Sequence, residues 1–165
     1  MKNLFSMAAA AVVLCAGSMV AAYGQSDGHV VSKVQEAQWG PAPPVLPAGA
    51  EIAVLAGNPM GNGPYTVRLK FPANYAIPAH SHPTDENVVV VSGALTFGMG
   101  DRLEKGASTN KTLEAGGFAL MPVGMNHYAY TGARETTIVL YGQGPVEFKY
   151  VNPADDPRNG HGAGK

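Results

Sequence analysis

The chain has 165 residues, enough for one domain with a sizeable core. Eleven basic and twelve acidic side chains leave a net charge of −1 without any basic cluster, which argues against nucleic acid as a partner. One cysteine, Cys15, cannot close an intrachain disulfide.

In chain order, residues 1–24 read as a secretory signal peptide. Lys2 supplies the positive start, an apolar run extends from Met7 to Val20, and the small residues Ala21, Ala22 and Gly24 suit cleavage. The run is short for a membrane span, which needs about 20 apolar residues, and no charged stop-transfer segment follows it. There is no twin arginine. Leu14 precedes Cys15 where a lipoprotein would carry a small residue. The mature protein is therefore expected in the periplasm or outside the cell, free of the membrane. Cleavage removes Lys2 and Cys15, which takes the net charge to −2 and leaves no thiol chemistry.

Residues 25–49 are polar, then proline-rich, and read as an extended arm. Trp39, the only tryptophan, is expected to anchor this arm against the barrel or a neighbouring subunit, which leaves a homodimer open. Residues 50–151 carry strand signals. Tyr65, Val67, Leu69 and Phe71 alternate with Thr66, Arg68 and Lys70, the period of a half-buried strand. Short apolar runs follow at Ile52–Ala56, Val88–Val91, Ala94–Met99, Phe118–Met121, Thr136–Tyr141 and Val146–Tyr150. Gly57, Pro72, Gly93, Gly116, Gly124 and Gly142 punctuate their junctions. Many short strands between regular turn signals predict an all-β sandwich or barrel. Asp101–Ala115 is polar and is expected to be a long loop with room for a helical turn. The tail, 152–165, should be flexible.

Two clusters carry the chemistry. In the first, His80 and His82 are two apart, so on a strand they point to one side with Cα atoms about 6.6 Å apart. Glu86 follows a turn begun by Pro83 and can swing a carboxylate into the same volume. In the second, His127 follows a Pro122-x-Gly124 turn and suits the start of an adjacent strand. Three neutral nitrogens and one carboxylate suit a divalent transition metal, one ion per chain, its identity open among iron, manganese, zinc, nickel and copper. On an octahedral ion, four such ligands leave two positions for water, substrate or dioxygen.

Arg68 could reach into the barrel towards a carboxylate, but the solvated outer face is the expected place. Tyr128 and Tyr130 should point away from His127. Met121, Met125, Phe97 and Met99 are expected in the core, and His29 and His161 in solvent at the chain ends.

These two clusters resemble the motifs of the cupin superfamily, G-x5-H-x-H-x3,4-E-x6-G and G-x5-P-x-G-x2-H-x3-N. His80, His82, Glu86 and Gly93 match the first; Gly116, Pro122, Gly124 and His127 match the second. Asn74 stands in place of the first glycine and Thr131 in place of the final asparagine. The resemblance implies a double-stranded β-helix, or jelly roll, with the metal inside. Fold alone does not fix function. A metal-dependent enzyme (dioxygenase, lyase or isomerase) acting on a small organic molecule with an anionic oxygen is the leading expectation. The alternatives are a non-catalytic binding or sensing cupin and a storage or stress protein. Intact mass of the protein from its native host should show a mature chain that begins near Tyr23 or Gln25. A chain retaining Met1, or a lipid on Cys15, would contradict the export reading.

Overall fold

The computed structural model describes residues 30–160, so the segment expected to be a signal peptide, His29 and His161 lie outside the described residues. Eleven strands follow in order: β1 Gly40–Pro41, β2 Glu51–Ala56, β3 Gly63–Phe71, β4 Ala76–Ser81, β5 Glu86–Ser92 and β6 Ala94–Met99. After these come β7 Lys111–Glu114, β8 Phe118–Met121, β9 His127–Thr131, β10 Thr136–Gly144 and β11 Lys149–Tyr150. They form two antiparallel sheets, ordered β1-β2-β3-β10-β5-β8 and β11-β4-β9-β6-β7. From β3 to β6 and from β7 to β11 the chain passes from one sheet to the other at each step. The result is the expected all-β jelly-roll barrel.

The inward face follows the period of two. Tyr65, Val67, Leu69 and Phe71 of β3, Val88 and Val90 of β5, and Ile138 and Leu140 of β10 meet Ile77, Leu95, Phe97 and Ala129 of the other sheet. Burying such side chains supplies roughly 1.5–3 kcal/mol each. The arm crosses the barrel with Leu46 buried in this core, held by the Tyr75 hydroxyl donating to the Pro47 carbonyl and by Tyr150 Oη donating to Val45 O at 2.7 Å. Trp39 lies under the Lys70 ammonium, 4.3 Å from the ring centre, so it does anchor the arm to the barrel.

Both departures from the cupin motifs have a physical reason. Asn74 sits at φ 59°, the left-handed region that glycine fills most easily and asparagine tolerates best among other residues. Thr131 is buried and ties down both ends of the turn between β3 and β4: Oγ1 donates to Pro72 O at 2.7 Å and accepts from Tyr75 N at 2.8 Å.

Some expectations need correction. The Asp101–Ala115 stretch is not all loop, because it contains β7, paired with β6. Its first ten residues fold back over the outer face of β9. Tyr128 Oη donates to Asn110 Oδ1 at 2.8 Å, and Tyr130 Oη to Lys105 O at 2.7 Å. Only Lys149–Tyr150 of the Val146–Tyr150 run is strand. Residues 153–155 and 157–159 form short 3-10 turns. Met121 and Phe97 are buried, whereas Met99 (49 % exposed), the last residue of β6, and Met125 (43 %), in the turn before β9, are exposed.

Gly98 carries the Tyr128 ring: a Cβ there would lie 2.1 Å from it. Gly98→Ala should therefore force the ring and the loop above it to shift, lowering stability by about 1–3 kcal/mol. A thermal melt unchanged from the parent would show that the packing is looser than described.

Candidate metal centre

The site depends on a break in strand parity. Ile77 pairs with Ala129 and His80 with His127, so β4 uses three steps where β9 uses two. The extra residue is a β-bulge between Ile77 and His80, where Ala79 and His80 are buried one after the other; Pro78 in this stretch has no N–H to give to the ladder and is tolerated in a sheet mainly at such places. Ahead of the bulge Ile77 faces the core; beyond it the inward positions are His80 and His82, both buried. His127 opens β9 directly opposite His80, and Glu86 opens β5 in the other sheet.

The turns that deliver these residues are clamped together. Asp85 Oδ1 accepts from Val123 N at 2.9 Å, and Gly124 N donates to His82 O at 2.9 Å. All four side chains expected to meet do so. The ring nitrogens of His80, His82 and His127 lie within 4.8 Å of one another. Glu86 Oε1 is 3.4 Å from His82 Nε2, and Oε2 is 3.7 Å from His127 Nε2.

Each imidazole is oriented from behind by a backbone carbonyl. His80 Nδ1 lies 2.7 Å from Pro78 O, His82 Nδ1 2.8 Å from Glu147 O, and His127 Nδ1 3.0 Å from Met125 O. A carbonyl only accepts, so each Nδ1 carries the hydrogen and each neutral ring turns an Nε2 lone pair inward. This is the usual support of a metal-ligating histidine. His82 Nε2 is buried without a hydrogen-bond partner among the described residues. An unpaired buried nitrogen is costly, and a lone pair facing a carboxylate oxygen repels it unless a proton or a cation stands between. The donor set therefore fits a divalent transition ion.

Electrostatics favour the ligating forms. Burial, with help from the His127 and His82 rings, pushes His80 down to about 3, which keeps it neutral. Burial would raise Glu86, but the adjoining His82 and then His127 and His80 outweigh it and hold the carboxylate at about 2.

Sequence reasoning missed the wall of the site. Phe148 stacks on His80 (4.6 Å between ring centres, 25°) and meets His82 edge-on (4.6 Å, 88°). Its segment, 145–150, forms a strap over the histidines, with Val146 N bonded to Pro59 O and Arg158 donating to Phe148 O. The signal was only an aromatic pair, Phe148 and Tyr150, at the end of an apolar run. Beside the histidines the barrel leaves a cavity of about 20 Å³, walled by His80, Glu86, His127, Phe148, Leu46 and further apolar side chains. Arg68 does not enter it; it stands on the outer face, half-buried rather than fully solvated.

A family profile, the ChrR cupin-like domain, matches residues 27–147. The chain belongs to that family. Among solved structures, this cupin is similar in fold to the polyketide cyclase RemF from Streptomyces resistomycificus, with a TM-score of 0.65 at 14% identity over 79% of this chain and 90% of that one. It is also similar to an RmlC-like cupin from Shewanella frigidimarina, with a TM-score of 0.54 at 17% identity over 73% and 94%. KdgF from a Halomonas species gives 0.51 at 18% identity over 72% and 96%. No curated protein matches in sequence. At these identities the likeness establishes the cupin fold.

Acid should destabilise the metal-free protein in a defined window. The unfolded chain takes up a proton at His80 near pH 6.5, while the folded chain resists until about 3. Stability from this source is full above pH 6.5 and declines as the pH falls towards 3. Glu86 adds a decline between 4.5 and about 2. Melting temperatures of chelated protein should thus begin to drop near pH 6.5 and drop faster below 4.5. A flat profile between pH 6.5 and 4.5 would contradict a buried, neutral His80.

Proposed function

We propose that this exported cupin holds one divalent transition metal ion through His80, His82, Glu86 and His127, and that it is a metal-dependent enzyme on a small organic molecule. The observation that carries the reading is the shared polarity of the three imidazoles. Each is locked at Nδ1 by a carbonyl and turned inward at Nε2, one of them with nothing to bond. When bound, such an ion supplies Lewis acidity or activation of dioxygen.

The chain's own residues do the rest. The three carbonyls orient the rings, Phe148 and the apolar wall exclude water, and Glu86 brings the one negative charge. Three neutral histidines and one carboxylate around a divalent ion leave a local charge of +1. In a low-dielectric interior that charge favours an anionic oxygen ligand: a carboxylate, enolate or phenolate. Lys2 and the apolar run behind it support a periplasmic or secreted location.

A non-catalytic binding or sensing module is the second reading. It is favoured by the cavity of about 20 Å³, which has room for little more than one water.

Elemental analysis of never-chelated protein should find about one transition ion per chain. Chelation should lower the melting temperature, since an ion 100-fold above its dissociation constant adds about 3 kcal/mol. His82→Ala should reproduce the chelated melt. No metal, together with a melt unmoved by zinc, manganese, iron, nickel or copper, would overturn the metal centre. Cobalt-loaded protein, titrated with small carboxylates, a phenol and neutral analogues, separates the two readings. Spectral change with the anions supports an open site; no change with any of them favours a closed, structural ion.

A further inference from the structure

The buried hydroxyls of this barrel are paired, with one exception. Tyr75 donates to the Pro47 carbonyl, Tyr128 to Asn110 Oδ1, Thr131 to Pro72 O and Thr136 to Ala94 O. Tyr65 is 5 % exposed, yet its hydroxyl has no hydrogen-bond partner among the described residues. A polar group in that position needs an explanation. The side-chain atoms that are both sealed and unpaired there are Arg68 Nε and His82 Nε2. Tyr65 Oη is not one of them, so this unpaired oxygen opens on space that a ligand atom can touch.

Register says where that space lies. Tyr65, Gly142 and Glu86 form one row across β3, β10 and β5. With strands about 4.8 Å apart, the Cα atoms of Tyr65 and Glu86 are about 10 Å from each other. Gly142 leaves the interval between them free of a side chain, and the phenol fills it. A Cβ on Gly142 would stand 3.4 Å from Tyr65 Oη and 2.9 Å from the carbonyl oxygen of Asp85, the residue before Glu86. Burial first, and then the charge of Glu86, raises Tyr65 above the ordinary phenol range, so the hydroxyl keeps its proton at neutral pH and serves as a donor.

Nothing else in the wall of the site can donate. Apart from His80, Glu86 and His127, the cavity beside the histidines is walled by apolar side chains. Each imidazole faces a backbone carbonyl with its Nδ1 hydrogen. An anionic oxygen bound to an ion here keeps lone pairs that need a donor, and leaving them unpaired away from water is costly. Charge alone would accept any anion, whereas a directed hydrogen bond selects one that can still accept it.

We propose that the Tyr65 hydroxyl is the donor that receives the anionic oxygen of a ligand at the metal centre, which makes Tyr65 a specificity-determining residue for small carboxylates and related oxygen anions. This rests on the reading of His80, His82, Glu86 and His127 as a metal centre with an open position.

Tyr65→Phe in the cobalt-loaded protein, titrated with formate as the smallest carboxylate, tests the proposal. The variant loses one oxygen and keeps the ring, so its melting temperature and cobalt affinity should match the wild type. Its formate dissociation constant should rise about tenfold or more, as for a lost hydrogen bond to a charged group. In zinc-loaded wild type, formate should also shift a tyrosine absorption band to longer wavelength, as a phenol does when it donates to an anion. That second measurement decides the matter if Tyr65→Phe does not fold. Unchanged formate binding in the variant, or no tyrosine shift in the wild type, overturns the role of Tyr65 and leaves the metal centre standing. A variant that loses cobalt affinity but keeps formate affinity also overturns it, because the hydroxyl then supports Glu86 instead. A wild type that takes up no cobalt, or whose cobalt spectrum ignores formate, overturns the open metal centre and this proposal with it.

Discussion

The bulge between Ile77 and His80 is the constraint on which the site rests. A strand can present only every second residue to the core, and β4 begins by presenting Ile77. Without an extra residue the same parity would turn Ser81 inward and His80 and His82 out; with it, Ala79 and His80 are both buried. Proline, unable to donate to the ladder, suits this irregular stretch, and its carbonyl is the partner of His80 Nδ1. The same short segment therefore aims the first imidazole and selects its tautomer. The other pieces assemble around that choice: His127 is the cross-strand neighbour of His80, and the Asp85–Val123 and His82–Gly124 bonds draw the two turns together until Glu86 faces the rings.

The legible parts of the chain were those governed by short-range periodicity and by fixed spacing. Tyr65–Phe71 announces its strand because its inward and outward residues differ in polarity at every step. The His80, His82, Glu86 and His127 set announces itself because ligating side chains are chemically distinctive and scarce in this sequence. What could not be read are relations between distant segments. Glu147 contributes to the site through its carbonyl, an atom every residue has, so its identity carries no signal. Phe148 packs on two histidines 66 and 68 positions away in sequence, and nothing local to it distinguishes a site wall from core. Met99 has the composition of a core residue, yet it is the last residue of its strand and is exposed, a matter of strand length rather than of hydrophobicity.

Asn74 and Thr131 show how a motif can change its letters and keep its physics. The first position needs a positive φ, and asparagine can supply one. The second needs a buried polar group to hold the turn at Pro72–Tyr75, and a threonine hydroxyl that donates and accepts does so. Neither is bonded to His80, His82, Glu86 or His127, so the arrangement of those four side chains does not depend on either exchange.

The strap over the histidines has a consequence for time rather than for affinity. Its Glu147 carbonyl is bonded to a ring that faces the ion position, its Phe148 lies flat against another, and β11 at its end is paired with the strand that carries His80. An ion bound against those rings would have this segment on one side of it, and lifting the segment would break all of these contacts together. On that side exchange would be set by how often the strap opens, a property of the backbone around it rather than of the ligating atoms.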